Sequence, residues 1–112
     1  MSDCEQTLRE LQTYLDRELS DEVLLSGHVC HPSLANDNLS AIVVAAFLGR
    51  LLRDVPRRHT VRLLFAPGTI GAITWLATHA DVLPRIRAGL VLACLGDAGP
   101  PTYKRSRRGD AT

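Results

Sequence analysis

Apolar residues recur with helical spacing near the start of the chain and again in its first half. Residues 7–19 place leucines three and four positions apart, which predicts one face of an amphipathic helix. Residues 38–53 are apolar on nearly every side, and they predict a long helix that packs broadly on a sheet. Asn36 or Asp37 is the expected N-cap of this second helix, because short polar side chains satisfy the first free backbone N–H groups.

Short continuous apolar runs separate these helices from later elements. Residues 23–26 end at Gly27 and are typical of a buried strand, as are residues 60–66, which Pro67-Gly68 terminates. Residues 69–80 predict another helix, and a helical turn is expected around Pro84. The run at 89–95 predicts a third strand, which Gly96-Asp97 ends.

The resulting order is α-β-α-β-α-β. Apolar strands alternating with helices predict an α/β fold, a partial parallel-sheet three-layer sandwich with helices on both faces. The expected division is an N-terminal helix in residues 1–21, an α/β core in 22–101 and a basic tail in 102–112.

Composition narrows the class of protein. The 112 residues carry a net charge of +1 and three cysteines with no Cys-x-x-Cys pair, so a disulfide scaffold is not expected and the cytoplasm is the predicted location. No apolar run approaches the ~20 residues of a membrane span. The start of the chain is acidic and polar, which does not resemble a secretory signal.

Polar groups follow the predicted strands at the edge where ligands gather in parallel sheets. His28 and His31 follow the first strand, Asp37 precedes the next helix, and Asp97 follows the third strand. Imidazole and carboxylate groups that converge at one point are suitable ligands for zinc. The alternatives stay open at this point: Asp37 as a helix cap, Asp97 as a turn residue, and the histidines as ordinary hydrogen-bonded side chains.

Four ordered stretches resemble bacterial aminopeptidase-like proteins of the co-catalytic zinc exopeptidase superfamily. They are SGHVCHPSLANDNLSA at 26–41, LLFAPGTIG at 63–71, GLVLACLGDAGP at 89–100 and TYKRSRRGD at 102–110. The resemblance implies a zinc-dependent hydrolase that cleaves a peptide or amide next to a free amino terminus.

Carried over by position, the resemblance assigns His28 as a zinc ligand, Asp37 as the carboxylate that bridges two zincs, and Asp97 as the acidic ligand after the third strand. Cys30 stands where the family has an aspartate that supports the histidine. A thiol accepts hydrogen bonds more weakly than a carboxylate, so His31 is an alternative supporting group or an alternative ligand.

Two departures from the family pattern predict an incomplete site. The family's Glu-Glu pair falls near Pro67-Gly68-Thr69, where neither glutamate is present, and a late histidine ligand has no counterpart in this sequence. We therefore expect a truncated aminopeptidase-like fragment that has no catalytic residue of its own and binds at most one zinc weakly. The alternative hypothesis is a non-catalytic binding or self-assembly module on the same fold, with a homo-oligomer formed through an exposed sheet edge.

The basic run near the C-terminus is a further candidate. It consists of Lys104, Arg105, Arg107 and Arg108. These side chains either contact a carboxylate at the sheet edge or form a solvated tail. The rest of the chain is slightly acidic and lacks the domain-wide positive face of a nucleic-acid binder, so nucleic acid is not an expected partner.

Overall fold

The computed structural model describes residues 21–109, which form a three-stranded parallel sheet with helical connections. The predicted helix at 7–19 lies outside the described residues. The elements in chain order are β1 (Glu22–His28), α1 (Leu39–Leu52), β2 (Thr60–Ala66), α2 (Ile70–Thr78), a 3₁₀ turn (Leu83–Arg85) and β3 (Ile86–Leu92). The strand order is β2-β1-β3, so the predicted parallel α/β fold is confirmed.

The third strand begins and ends three residues earlier than predicted. Its partner is β1, whose residues Glu22 to Gly27 pair with Ile86 to Leu92. After Leu92 the chain turns, and Cys94 has a positive φ of 51° that does not continue a strand. The predicted limits followed the apolar run, which continues past the last position that has a pairing partner.

Helix α1 buries a stripe of small residues and not its whole surface. Ala41, Ala45 and Gly49 are its buried positions, and they face a core formed by Leu25, Val61, Leu63 and Leu92. The expected broad packing of this helix is not found, because Phe47 and Leu51 are 62% and 70% exposed. Small side chains bring the helix backbone close to the sheet and leave the larger ones pointing outward.

The N-cap prediction is also corrected. Helix α1 begins at Leu39 with Asn38 as its N-cap, and neither Asn36 nor Asp37 occupies that position; no side-chain capping bond forms there. The Asn38 side chain is instead used in bonds to other segments.

No helix within residues 21–109 is both long enough and apolar enough to cross a membrane.

A buried ion-pair network joins the amino ends of the three strands. Glu22 on β1 is fully buried, and its Oε1 accepts hydrogen bonds from Arg62 Nη2 at 3.1 Å and Arg85 Nη2 at 2.7 Å. Its Oε2 accepts a further bond from Arg62 Nε. Since strand side chains alternate between faces, Glu22 and Arg62 lie on the sheet face opposite Leu25 and Leu63. The network fixes the alignment of the strands on this face.

Candidate functional site

His28 is the last residue of β1 and stands at the carboxyl edge of the central strand. The next residue extends the edge, because Val29 N donates to the carbonyl of Ala66 at 2.9 Å. The loop that follows leads into α1 and brings Asp37 back to His28. The structure thus brings two of the candidate residues, His28 and Asp37, together.

The Asp37 carboxylate lies between two imidazole rings. His28 Nε2 donates to Asp37 Oδ1 at 2.7 Å, since an ionised carboxylate only accepts. His31 Nε2 lies 3.7 Å from the other oxygen, Oδ2, and His31 Nδ1 donates to the Pro32 carbonyl at 2.9 Å. The Asp37 side chain remains 55% exposed. This cluster, named here the His–Asp cluster, consists of His28, His31 and Asp37 and is open to a ligand.

The cluster shifts the acid–base behaviour of two of its members. The hydrogen bond from His28 is the main reason that the pKa of Asp37 lies below its ordinary 3.8. The carbonyl of Pro32, followed by Asp37, raises the pKa of His31 above 6.5. A lowered carboxyl pKa stabilises the fold above about pH 4, and this contribution is lost as the pH falls through the folded-state value. The raised histidine pKa stabilises the fold below pH 6.5, and this contribution is lost as the pH rises through the folded-state value.

Asn38 ties the ends of two strands together beneath the cluster. Its buried Nδ2 donates to the carbonyls of His28 and Leu92, both at 3.2 Å, while its Oδ1 accepts from Cys94 N at 3.0 Å. All three bonds reach across the fold, so Asn38 positions the backbone of His28. Sequence reasoning gave Asn38 no role of its own. The only sequence feature that pointed to Asn38 was its position directly after Asp37.

Two more polar residues hold the segment that follows β3 against the start of α1. Asn36 Oδ1 accepts from Gly96 N at 2.6 Å. Ser40 Oγ accepts from Leu95 N at 3.0 Å and donates to the Asn36 carbonyl at 2.6 Å. These bonds determine where the chain goes before it reaches Asp97.

Asp97 has a local role in this structure. Its Oδ1 accepts from Gly99 N at 2.8 Å, which is a turn contact. Within residues 21–109 no three side chains of the His, Cys, Asp and Glu types form a group that could hold a metal ion. The expected meeting of His28, Asp37 and Asp97 around one point is therefore not found, and the assignment of Asp97 as a ligand stays a prediction.

Zinc, the metal that the resemblance implies, generally needs three or four protein ligands around one point. The described residues do not fit a complete site of this kind. They supply His28 Nε2 and the Asp37 carboxylate at one place, already bonded to each other, with His31 farther away. We therefore treat the cluster as a partial donor set.

The loop after β2 approaches the cluster without bringing a carboxylate. A Cβ atom added at Gly68 would lie 4.0 Å from both Cys30 Sγ and His28 Cβ. This is the place where the resemblance positions the Glu-Glu pair. Cys30 is an exposed free thiol, while the partner of the His28 ring is Asp37. The supporting role predicted for Cys30 stays a prediction.

The four basic side chains near the C-terminus, Lys104, Arg105, Arg107 and Arg108, are exposed. Arg105 Nη2 donates to the Gly109 carbonyl at 3.1 Å. This bond is local to the tail. The predicted contact of Lys104, Arg105, Arg107 and Arg108 with a carboxylate at the sheet edge stays a prediction.

The chain is thus a small parallel α/β protein with the His–Asp cluster at the carboxyl edge of its sheet. The family described as "Domain of unknown function (DUF4910)" matches residues 5–112, and the chain belongs to this family.

Two relatives from Clostridium acetobutylicum extend this assignment. One is provisionally named a polysaccharide biosynthesis protein with an aminopeptidase-like domain; it is 47% identical over 98 residues, which are 88% of this chain and 23% of that protein. The other is a crystal structure provisionally described as a peptidase, with a TM-score of 0.79 and 48% identity over 84% of this chain and 22% of that chain. The chain thus spans about a quarter of the length of these relatives. They support a peptidase-like or aminopeptidase-like family at the level of the domain.

Proposed function

We propose that this chain is part of an aminopeptidase-like zinc hydrolase domain, to which it contributes the His–Asp cluster but not a complete catalytic set. The observation that carries the proposal is the 2.7 Å contact between His28 and Asp37 at the carboxyl end of the central strand. The names of the two Clostridium relatives support the peptidase-like class. The proposed ligand class is a peptide or a small amide.

The cluster offers a negative charge at an exposed position. The ionised Asp37 carboxylate favours a cationic group beside it, either a metal ion or the ammonium group of a free amino terminus. His28 orients this carboxylate by a direct hydrogen bond, and Asn38 holds the His28 backbone from below. The residues of this chain would thus orient and neutralise a bound cationic group.

We expect the chain alone to hydrolyse a peptide or amide only slowly. Gly68 lies beside His28 in the loop after β2 and has no side chain to accept a proton. The absence of a positioned general base typically costs about 10² to 10⁴ in rate.

The cytoplasm is the proposed compartment, in keeping with the cysteine pattern of the sequence.

Zinc titration by isothermal calorimetry tests the proposal. We expect one weak zinc-binding event, and we expect Asp37→Ala to weaken it by at least about tenfold, since even supporting groups around a metal contribute 10- to 100-fold. Asp97→Ala tests the third predicted ligand. Asp81→Ala, at an exposed position outside the cluster, is the matched control and should bind zinc like the natural chain. A natural chain that binds no zinc, or an Asp37→Ala variant with unchanged affinity, contradicts the proposal.

A binding or self-assembly module is the second candidate function. The observation in its favour is the amount of exposed apolar surface, including Phe47 and Leu51 on α1 and Val91 on β3. Large apolar patches on small proteins commonly mark interaction surfaces.

A further inference from the structure

Arg57 lies in the loop between α1 and β2, at the edge of the sheet where the strands begin, and its guanidinium is only partly paired. Its Nη1 donates to the carbonyl of Leu52 at the end of α1. Its Nε and Nη2 are buried and have no hydrogen-bond partner among residues 21–109, and the same holds for Nδ1 of His59. Buried donors are nearly always paired, so an acceptor is expected beside Arg57.

The Nε–Nη2 side of a guanidinium has the geometry that binds both oxygens of a carboxylate. The acidic side chains described near this edge are bonded to other arginines. Asp21 pairs with Arg87 at 3.0 Å, and Asp54 pairs with Arg53 at 3.2 Å. Glu22 belongs to the buried network of the strands.

The segment that leads into β1 has the charge that this loop attracts. Residues 1–20 contain five acidic side chains and two arginines. Residues 53–58 contain three arginines and one aspartate. The two segments therefore carry opposite net charges, and electrostatic complementarity favours their contact.

The fold also brings these two segments to the same place. Thr60 N donates to the Asp21 carbonyl at 3.0 Å, so the chain enters β1 beside the start of β2. Glu18 is three residues before Asp21, and Arg57 is three residues before Thr60. Three residues span at most about 11 Å, so both side chains are tethered near this bond.

We propose that the basic loop of residues 53–58 is the docking surface for the acidic segment of residues 1–20, with the Glu18 carboxylate bonded to Nε and Nη2 of Arg57. Glu18 is the acidic residue of this segment nearest to Asp21 along the chain. Two parallel charge-assisted bonds would pair both buried donors and fix the segment in position. This inference does not depend on the zinc hydrolase proposal, because the His–Asp cluster lies at the opposite edge of the sheet.

A double-mutant cycle measured by chemical denaturation of the full chain tests the pairing. We expect Glu18→Gln and Arg57→Gln each to lower the folding equilibrium constant. The loss in the double variant should be at least about threefold smaller than the product of the two single losses, because paired groups are coupled. Glu10→Gln makes the same charge change elsewhere in the segment and is the matched control, whose effect should multiply with that of Arg57→Gln. Independent effects of Glu18→Gln and Arg57→Gln overturn the inference.

An NMR pH titration of the natural chain tests the same pair without a variant. The side-chain carboxyl of Glu18 should titrate below the ordinary glutamate value of about 4.3 and below Glu10, since an adjacent guanidinium favours the ionised form. Equal midpoints for the two glutamates overturn the inference. It is also overturned if inorganic phosphate stabilises the natural chain but not Arg57→Gln while Glu18→Gln has no effect, because this result assigns Arg57 to a free oxyanion.

Discussion

Replacement of Glu22 by alanine is expected to lower the melting temperature of the chain by more than roughly 10 °C. The carboxylate of Glu22 is fully buried and is the shared partner of Arg62 and Arg85. Its removal leaves the buried guanidinium of Arg62 without this partner, and such a loss typically costs about 3–5 kcal/mol. For a domain of this size, about 1 kcal/mol corresponds to a shift of roughly 4–8 °C. Differential scanning calorimetry measures the change.

The matched control is Asp54→Asn, which neutralises an acidic residue in an exposed pair with Arg53. Exposed pairs contribute about 0–1 kcal/mol, so the expected shift is small. A Glu22→Ala/Arg62→Ala double variant should lose less stability than the two single variants together, because no charge is left unpaired between them. If Glu22→Ala melts within a few degrees of Asp54→Asn, the network does not stabilise the sheet.

Replacement of Asn38 by aspartate is expected to be the second most damaging change, although the two side chains have nearly the same shape. The amide nitrogen of Asn38 donates to two backbone carbonyls at a fully buried position. A carboxylate cannot donate, and it would place a negative charge against two carbonyl oxygens. Buried polar groups left unsatisfied cost about 1–3 kcal/mol each, so we expect the two unsatisfied carbonyls to cost about 2–6 kcal/mol at pH 7.

The loss from Asn38→Asp should depend on pH in a defined direction. Burial raises the pKa of the introduced carboxyl, whose protonated form can donate one hydrogen bond. The deficit in unfolding free energy should therefore be smaller near pH 4 and grow as the pH rises towards 7. Chemical denaturation at both pH values measures it. Asn36→Asp is the control, because Asn36 accepts from Gly96 N through its oxygen, which a carboxylate can also do. Equal losses in the two variants would contradict the role given to Asn38.

The helices and strands within residues 21–109 could largely be predicted from the sequence, because their apolar periods are clear and Gly or Pro residues separate them. The prediction succeeded for β2, whose limits coincide with the apolar run at 60–66. It failed at β3, where pairing with β1 decides the limits. The Glu22 network could not be foreseen either, because a buried acid is recognisable only when its arginine partners are known.

The candidate site could likewise be predicted from the sequence only in part. His28 and Asp37 are near each other in sequence, so a single loop brings them together. Asp97 is far away in sequence, and its position depends on how Asn36 and Ser40 bind the segment after β3. Such long-range backbone contacts leave no spacing pattern in the sequence. For this reason the contact between His28 and Asp37 could be predicted, whereas the position of Asp97 could not.

The central claim is that His28 and Asp37 form a hydrogen-bonded pair at the edge of the sheet. The most direct test is an NMR pH titration of the Asp37 side-chain carboxyl carbon in the natural chain and in a His28→Ala variant. We predict a midpoint below 3.8 in the natural chain and a return of the midpoint towards 3.8 in the variant. A midpoint that is not lowered in the natural chain, or is unchanged by His28→Ala, would contradict the account.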